Sequence, residues 1–163
     1  MLSGPPAGLV VAELGPDDWQ LFRRVRLAAL ADSPAAFGSR HADWMVAEPG
    51  RWRARLTDVP LNLVLIMDGE PVGMVSGTAP LDGTVELISL WVAPTARGRG
   101  VPDEAVRRVR DWARSQKAAR LVLSVKIANT AARRLYERLG FELVGPSADD
   151  PSELVFALEL SPC

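Results

Sequence analysis

The sequence predicts an α+β fold with a mixed, mostly antiparallel sheet of six to seven strands flanked by about four helices. One observation is the order of elements: a strand, two helical segments and three strands, the third of which opens a strand–helix–strand unit, then a helix and two closing strands. Another is the unit over residues 84–127, which has the length of one βαβ crossover and contains a glycine-rich loop.

The first third of the chain predicts one strand and two helices. Residues 8–14, GLVVAEL, are apolar enough for a strand. Pro16 opens an amphipathic helix that ends near Ser33, and a second helix falls within 40–57, interrupted near Pro49. The first helix has a stripe of residues at helical spacing, namely Trp19, Phe22, Val25, Arg26, Leu27 and Leu30.

The rest of the chain predicts five or six strands and two helices. LNLVLIM and PVGMVSG flank Asp68-Gly69, which is a strong signal for a two-residue hairpin turn. The βαβ helix should pack through Ala105, Val109, Trp112 and Ala113. The segments expected after the hairpin are strands at 84–92, 119–127, 141–144 and 153–160, and helices at 102–116 and 130–139.

Composition favours one ordinary soluble domain spanning residues 1–163. Apolar residues make up 48% and charged residues 24%, which excludes disordered and low-complexity classes. No apolar run is long enough for a membrane span, and the N-terminus lacks signal-peptide features, so we expect no membrane partner and a cytoplasmic location. Cys163 is the only cysteine, which rules out an intramolecular disulfide, and with His41 distant in sequence no metal site is expected.

The net charge of −1 hides an uneven distribution. Residues 97–138 contain twelve Lys or Arg against four Asp or Glu. A basic region of this kind suits an anionic ligand, although a solvated arginine-rich helix surface explains it as well. Nucleic acid is a third interpretation, and the isoelectric point near 5.9 argues against it.

The junction Arg97-Gly98-Arg99-Gly100-Val101-Pro102 carries the strongest local signal. Glycines between a strand and a helix allow a sharp turn that exposes N–H groups, and the helix N-terminus and two arginines add positive charge. The loop therefore predicts a phosphate or pyrophosphate site, unless it is only a tight turn. It lacks the Gly-Lys-Ser/Thr element of a Walker loop and the spacing of the dinucleotide fingerprint.

A second element, NTAARRLYERLGF, covers residues 129–141. Asn129 or Thr130 can cap a helix that Gly140 ends, and Tyr136 can be a half-buried amphipathic residue.

Taken together, the two elements resemble the acetyl-CoA-dependent N-acetyltransferases of the GNAT superfamily. Arg97-x-x-Gly100-x-Pro102 falls on the family's Q/R-x-x-G-x-G/A loop, and Asn-x-x-Ala-x-x-x-Tyr-x-x-x-Gly-Phe falls on its second cofactor segment. The resemblance covers residues 60–145, which it implies are the cofactor-binding core, and it leads us to expect the acceptor side at 8–57 and a closing strand at 146–163. ALADSPAAFGS, at 29–39, looks like the acceptor region of some members.

The resemblance implies a site for acetyl-CoA as co-substrate, with no metal. The pantetheine arm should lie between splayed strands 84–93 and 119–127, pairing with the backbone of Leu90 and Val92. The pyrophosphate should rest on the amides of 98–102. The full set of implied cofactor residues is Leu90, Trp91, Val92, Arg97, Gly98, Arg99, Gly100, Val101, Pro102, Asn129, Ala132 and Tyr136.

For catalysis, the resemblance implies that Tyr136 stands near the thioester sulfur and protonates the leaving thiolate. Glu86, eleven residues before Arg97, is the candidate base for a primary amine, directly or through water. His41 is a weaker base candidate, and an outward strand carboxylate is the structural alternative for Glu86.

Pro102 departs from the family pattern, which has Gly or Ala there. Proline removes one N–H donor, and Asp103 and Glu104 would repel a bound phosphate, although all three suit a helix start. A catalytically weak or inactive GNAT-fold module that binds a ligand or partner is therefore the alternative to an N-acetyltransferase. The resemblance also leaves a homodimer and the identity of the acceptor amine open.

Overall fold

In the computed structural model, which describes residues 6–33 and 41–160, seven strands and five α-helices follow one another along the chain. In chain order the elements are β1 Leu9–Glu13, α1 Trp19–Asp32, α2 His41–Met45, α3 Pro49–Asp58, β2 Leu61–Met67, β3 Glu70–Gly77, β4 Thr84–Val92, α4 Val101–Ser115, β5 Arg120–Lys126, α5 Thr130–Arg138, β6 Glu142–Pro146 and β7 Glu153–Glu159. Short 3₁₀ turns at Pro16–Asp18 and Pro94–Ala96 precede α1 and follow β4.

The strands form one sheet in the order β1-β2-β3-β4-β5-β7-β6. Each neighbouring pair is antiparallel except β4 and β5, which are parallel and joined by α4. At the hairpin between β2 and β3, Asp68 and Gly69 have φ of 51° and 82°, as a turn with two left-handed residues requires. The α+β prediction, the hairpin and the crossover are thus confirmed.

The helices cover the two faces of the sheet. On one face, α4 buries Ala105, Val109 and Ala113 among side chains of β3, β4 and β5. Trp112 is partly buried and packs over Gly77, so the predicted contact face of this helix is confirmed. The opposite face carries α1, α2 and α3, with a core that comprises Phe22, Leu30, Trp44, Trp52, Val64, Met74 and Trp91.

Two details refine the sequence prediction. The helical segment predicted within 40–57 is two helices, α2 and α3, because the chain is extended at Glu48 before Pro49 starts the second one. The last two strands do not follow chain order in the sheet, because β7 lies between β5 and β6. Within the described ranges, no helix is both long and apolar enough to cross a lipid bilayer.

Candidate active site

The parallel strands β4 and β5 pair only at their N-terminal ends, from Thr84 opposite Arg120 to Glu86 opposite Val122. Beyond Glu86 the two strands separate, and a cavity of about 1040 Å³ opens between them. Backbone groups of β4 on this side have no strand partner, so they are available to a ligand that lies along the strand. The predicted residues that line this cavity are Glu86, Leu90, Trp91, Val92, Arg97, Gly98, Gly100, Pro102, Asn129, Ala132 and Tyr136.

The edge of the cavity is shaped by a bulge in β4. Met74 of β3 lies opposite Trp91 and Ser76 opposite Ile88, so two residues of β4 oppose one residue of β3. At the bulge, Ser89 adopts a left-handed backbone conformation with φ of 59°. This conformation costs a non-glycine residue about 1–2 kcal/mol. No local pattern predicts this bulge, because β4 contains neither glycine nor proline.

The Ser89 hydroxyl receives hydrogen bonds from two arginines on the neighbouring helices. Arg26 of α1 donates from Nη1 over 3.0 Å, and Arg55 of α3 donates from Nη2 over 3.5 Å. Arg26 is 6% exposed and lines the cavity. Arg26 belongs to the apolar stripe of α1, and a charged residue on such a stripe is the signal that could have marked it as a site residue.

A buried polar network holds Arg55 in place. Its Nη1 donates to Asn62 Oδ1 over 2.7 Å and its Nη2 to Ser76 Oγ over 3.3 Å. Ser76 in turn donates to Asn62 Oδ1 over 2.9 Å, and Asn62 donates to the Val59 carbonyl. Asn62 and Ser76 are each 1% exposed. The hydrogen bonds that hold the Arg55 guanidinium therefore lie in the protein interior, shielded from water.

The glycine-rich loop turns as the sequence predicted. Gly98 and Gly100 have φ of 74° and 80°, and Gly100 is the N-cap of α4. An added Cβ at Gly98 would meet nothing within 4 Å, so the surface beside it is open. The loop therefore offers backbone amides and a helix N-terminus to an anion, as a diphosphate requires.

Arg97, expected near the pyrophosphate, is held by two contacts within the protein. Its Nε donates to the Val92 carbonyl over 2.9 Å, and its Nη2 contacts Asp32 Oδ2 at 2.7 Å. The same Asp32 oxygen accepts from Trp91 Nε1 over 2.9 Å, and hydrogen bonds from Trp91 and Ser33 lower the pKa of this carboxyl. Asp32, which no pattern in the sequence marks, thus connects α1 to β4 and the loop.

The two acids at the start of α4 are both neutralised by arginine. Arg138 of α5 holds Asp103 through two contacts, at 2.6 and 3.1 Å, and lowers its pKa. Glu104 accepts from Arg108 over 3.3 Å. These ion pairs weaken the repulsion of phosphate that the two carboxylates were expected to cause. Pro102 still lacks the backbone N–H that another residue would offer to an anion at this helix N-terminus.

Tyr136 lines the cavity. It is 6% exposed, more deeply buried than expected, and its ring packs edge-on against Phe141 with centroids 5.8 Å apart. Burial raises the pKa of its phenol well above the usual value, so the group stays protonated at neutral pH. Asn129 caps α5 by accepting from the Ala132 amide over 3.1 Å, and Gly140, with φ of 95°, follows the end of the helix, as predicted.

Glu86 faces an acidic part of the cavity. Partial burial, with Asp149 and Glu153 nearby, raises the pKa of Glu86. All three carboxylates line the cavity. A carboxylate with a raised pKa is a stronger base for a proton on nitrogen, and the group as a whole attracts a cationic amine.

Three predicted residues lie elsewhere. Arg99 is exposed on the loop, Val101 is fully buried in the core, and His41 begins α2; none of the three lines the cavity. Cys163 and part of the segment 29–39 lie outside the described residues. Among the residues that are described, no group of three His, Cys, Asp or Glu side chains could hold a metal ion.

Two solved structures resemble this fold over nearly its whole length. The ribosomal-protein-S18-alanine N-acetyltransferase from Escherichia coli superposes with a TM-score of 0.68 at 18% identity, covering 95% of this chain and 96% of that one. YncA from Salmonella typhimurium, solved with acetyl-CoA, gives a TM-score of 0.71 at 24% identity and 96% coverage of each chain. At these identities the likeness concerns the fold.

Sequence comparison adds a relative and a family. The chain is 38% identical over 85 residues to the N-acetylaspartate synthetase of Rattus norvegicus, a match that spans 52% of this chain and 28% of that protein. The family model described as "Acetyltransferase (GNAT) family" matches residues 26–141. Because that match runs from α1 through the splayed strands to the end of α5, the chain belongs to the acetyltransferase (GNAT) family.

Proposed function

We propose that this protein is an N-acetyltransferase that moves the acetyl group of acetyl-CoA to a primary amine by direct transfer in a ternary complex. The observation that carries the proposal is that one cavity, between two splayed strands, is lined by the glycine-rich loop, Tyr136 and Glu86. The structure of YncA with acetyl-CoA and the name of the synthetase relatives support the reaction class.

The residues present fit acetyl-CoA. The amides beside Gly98 and Gly100 and the N-terminus of α4 suit the diphosphate. The backbone of β4 at Leu90 and Val92 has no partner in β5 and suits the amides of the pantetheine arm, although the Val92 carbonyl already accepts from Arg97 Nε. Bound acetyl-CoA would supply the activated acetyl group. Arg97 would keep its contact with Asp32 or exchange it for a phosphate oxygen.

Glu86 and Tyr136, which both line the cavity, each carry out one of the proton transfers. Glu86, directly or through a water, takes a proton from the acceptor nitrogen as that nitrogen bonds to the acetyl carbon. The carbon–sulfur bond breaks, and Tyr136 gives its phenolic proton to the sulfur. Its raised pKa keeps Tyr136 protonated until that step, and the raised pKa of Glu86 strengthens it as a base.

The test is release of the CoA thiol from acetyl-CoA in the presence of a panel of amines, with mass spectrometry of the products. We expect acetylation of at least one amine class and saturable binding of CoA by isothermal titration. Binding of CoA with no acetylated product from any amine would refute the transferase.

A second function is favoured by one observation. Pro102 is the second residue of α4, where its missing N–H falls among the amides that face an anion. A GNAT-fold module that binds a ligand or partner without turnover would retain the cavity and need fewer of these amides. The same assay separates the two, because such a module gives no acetylated product.

A further inference from the structure

The Asp32 carboxylate, at the C-terminal end of α1, accepts three hydrogen bonds on a single oxygen. Its Oδ2 accepts from Trp91 Nε1 over 2.9 Å, from Ser33 Oγ over 2.8 Å and from Arg97 Nη2 over 2.7 Å. Trp91, Ser33 and Arg97 all line the cavity. Asp32 is therefore the acceptor that holds three side chains of the cavity wall in place.

The three donors differ in how easily they can leave Asp32. Trp91 is 8% exposed, so its indole N–H would be left buried without an acceptor if it moved away. Ser33 follows Asp32 directly in the chain and stays beside the carboxylate. The side chain of Arg97 is 51% exposed, and an exposed ion pair is weak because water solvates both charges. Arg97 is thus the donor that can exchange Asp32 for another anion at small cost.

A second contact keeps Arg97 beside the glycine-rich loop. Its Nε donates to the Val92 carbonyl over 2.9 Å, so the guanidinium can stay anchored at Nε while its two Nη groups change partner. Arg97 directly precedes Gly98, and the cavity surface continues from Arg97 onto Gly98 and Gly100. The loop that suits a diphosphate and the guanidinium of Arg97 therefore border the same space.

We propose that Asp32 sets the affinity for CoA by competing with its diphosphate for Arg97. A diphosphate carries more negative charge and more acceptor oxygens than one carboxylate, so it is the stronger ligand for the guanidinium. In this exchange Asp32 stays bonded to Trp91 and Ser33 and acts on the coenzyme only through Arg97, as a positioning residue. The inference rests on the proposed coenzyme site and decides between the two states of Arg97 that this site allows.

The experiment measures CoA binding by isothermal titration calorimetry to the parent and to Asp32→Asn. Asparagine keeps an acceptor oxygen for the Trp91 indole and removes the charge that competes for Arg97. We expect CoA to bind about 2- to 5-fold more tightly to Asp32→Asn, the size of an exposed ion pair. Dephospho-CoA retains the diphosphate and lacks the 3′-phosphate, so it should show the same gain.

A double-mutant cycle assigns the gain to Arg97. Arg97→Gln should bind CoA about 10-fold more weakly, since the diphosphate loses a charge-assisted hydrogen bond, and Asp32→Asn should change the affinity little in that background. Glu70→Gln is the matched control. It also removes the carboxylate of an exposed ion pair, with Arg24 at 3.1 Å, and neither residue lines the cavity, so CoA affinity should stay unchanged.

A measurement on the unaltered protein decides the exchange even where a variant does not fold. CoA should move the indole N–H resonance of Trp91 downfield in ¹H–¹⁵N NMR spectra. The reason is that Asp32 Oδ2 then accepts one hydrogen bond fewer and binds the indole N–H more tightly. A resonance that CoA shifts upfield or leaves in place would contradict the release of Arg97.

The outcomes separate the inference from the function on which it rests. Unchanged or weaker CoA binding by folded Asp32→Asn would show that Asp32 does not compete, and the coenzyme site would stand without the inference. A gain that persists in the Arg97→Gln background would overturn the role of Arg97. If the parent binds neither CoA nor dephospho-CoA, the proposed coenzyme site fails together with the inference.

Discussion

Replacing Pro102 with alanine restores the one backbone N–H that α4 lacks where an anion would meet its N-terminus. Pro102 is the second residue of the helix, and a residue there has no intrahelical acceptor for its N–H. A hydrogen bond from a neutral donor to a charged oxygen contributes about 1.5–3 kcal/mol, so CoA should bind roughly 10- to 100-fold more tightly. Alanine is chosen because it favours the helix and adds no backbone freedom of the kind that glycine would bring.

The same change should weaken the fold slightly. Loss of a proline that suits its site costs about 0.4–1 kcal/mol, which for a chain of this size is a fall in Tm of about 1–4 °C. Pro49→Ala is the matched control, because Pro49 starts α3 and does not line the cavity. It should lower Tm similarly and leave CoA affinity unchanged in isothermal titration. If Pro102→Ala binds CoA no more tightly than the parent, the missing amide has no part in CoA binding.

Three further outcomes follow from the site and the sheet. Tyr136→Phe should lower kcat about 10²- to 10⁴-fold with CoA affinity nearly intact, and unchanged turnover would remove the phenol from the mechanism. Asp149→Asn should shift the acid limb of the kcat/KM profile to lower pH, because Asp149 raises the pKa of Glu86 and the base acts only when deprotonated; an unmoved limb would exclude Glu86 as that base. Gly73→Ala should cost about 1–3 kcal/mol in denaturant unfolding, since its Cβ would lie 2.7 Å from the Trp91 carbonyl, whereas Gly50→Ala, with nothing within 4 Å, should not destabilise.

Most of the fold could be predicted from the sequence, because local patterns of residues specify each helix and strand. Alternation and helical spacing located the strands and helices to within a few residues, and Asp68-Gly69 defined the hairpin by backbone chemistry alone. The glycine-rich loop was also readable, since left-handed φ values at Gly98 and Gly100 are a local property of glycine.

The ion pairs around the loop could not be predicted from the sequence, because each joins two side chains that are far apart along the chain. Arg97 and Asp32 are 65 residues apart, and Arg138 and Asp103 are 35 apart. The bulge at Ser89 arises from the register between β3 and β4, which no local pattern specifies. For these reasons the sequence suggested that Asp103 would repel phosphate, whereas in the folded chain its charge is paired.

The hydrogen-bond network that joins Ser89 to Arg55, Asn62 and Ser76 limits how this wall of the cavity can vary during evolution. Arg55, Asn62 and Ser76 share their hydrogen bonds, so replacing one of them leaves a buried polar group of another without its partner. Energetic effects of such substitutions are not additive, and a second replacement can offset the loss caused by the first. Variation at these three positions should therefore be correlated, and a library designed to alter this part of the cavity wall should vary them jointly.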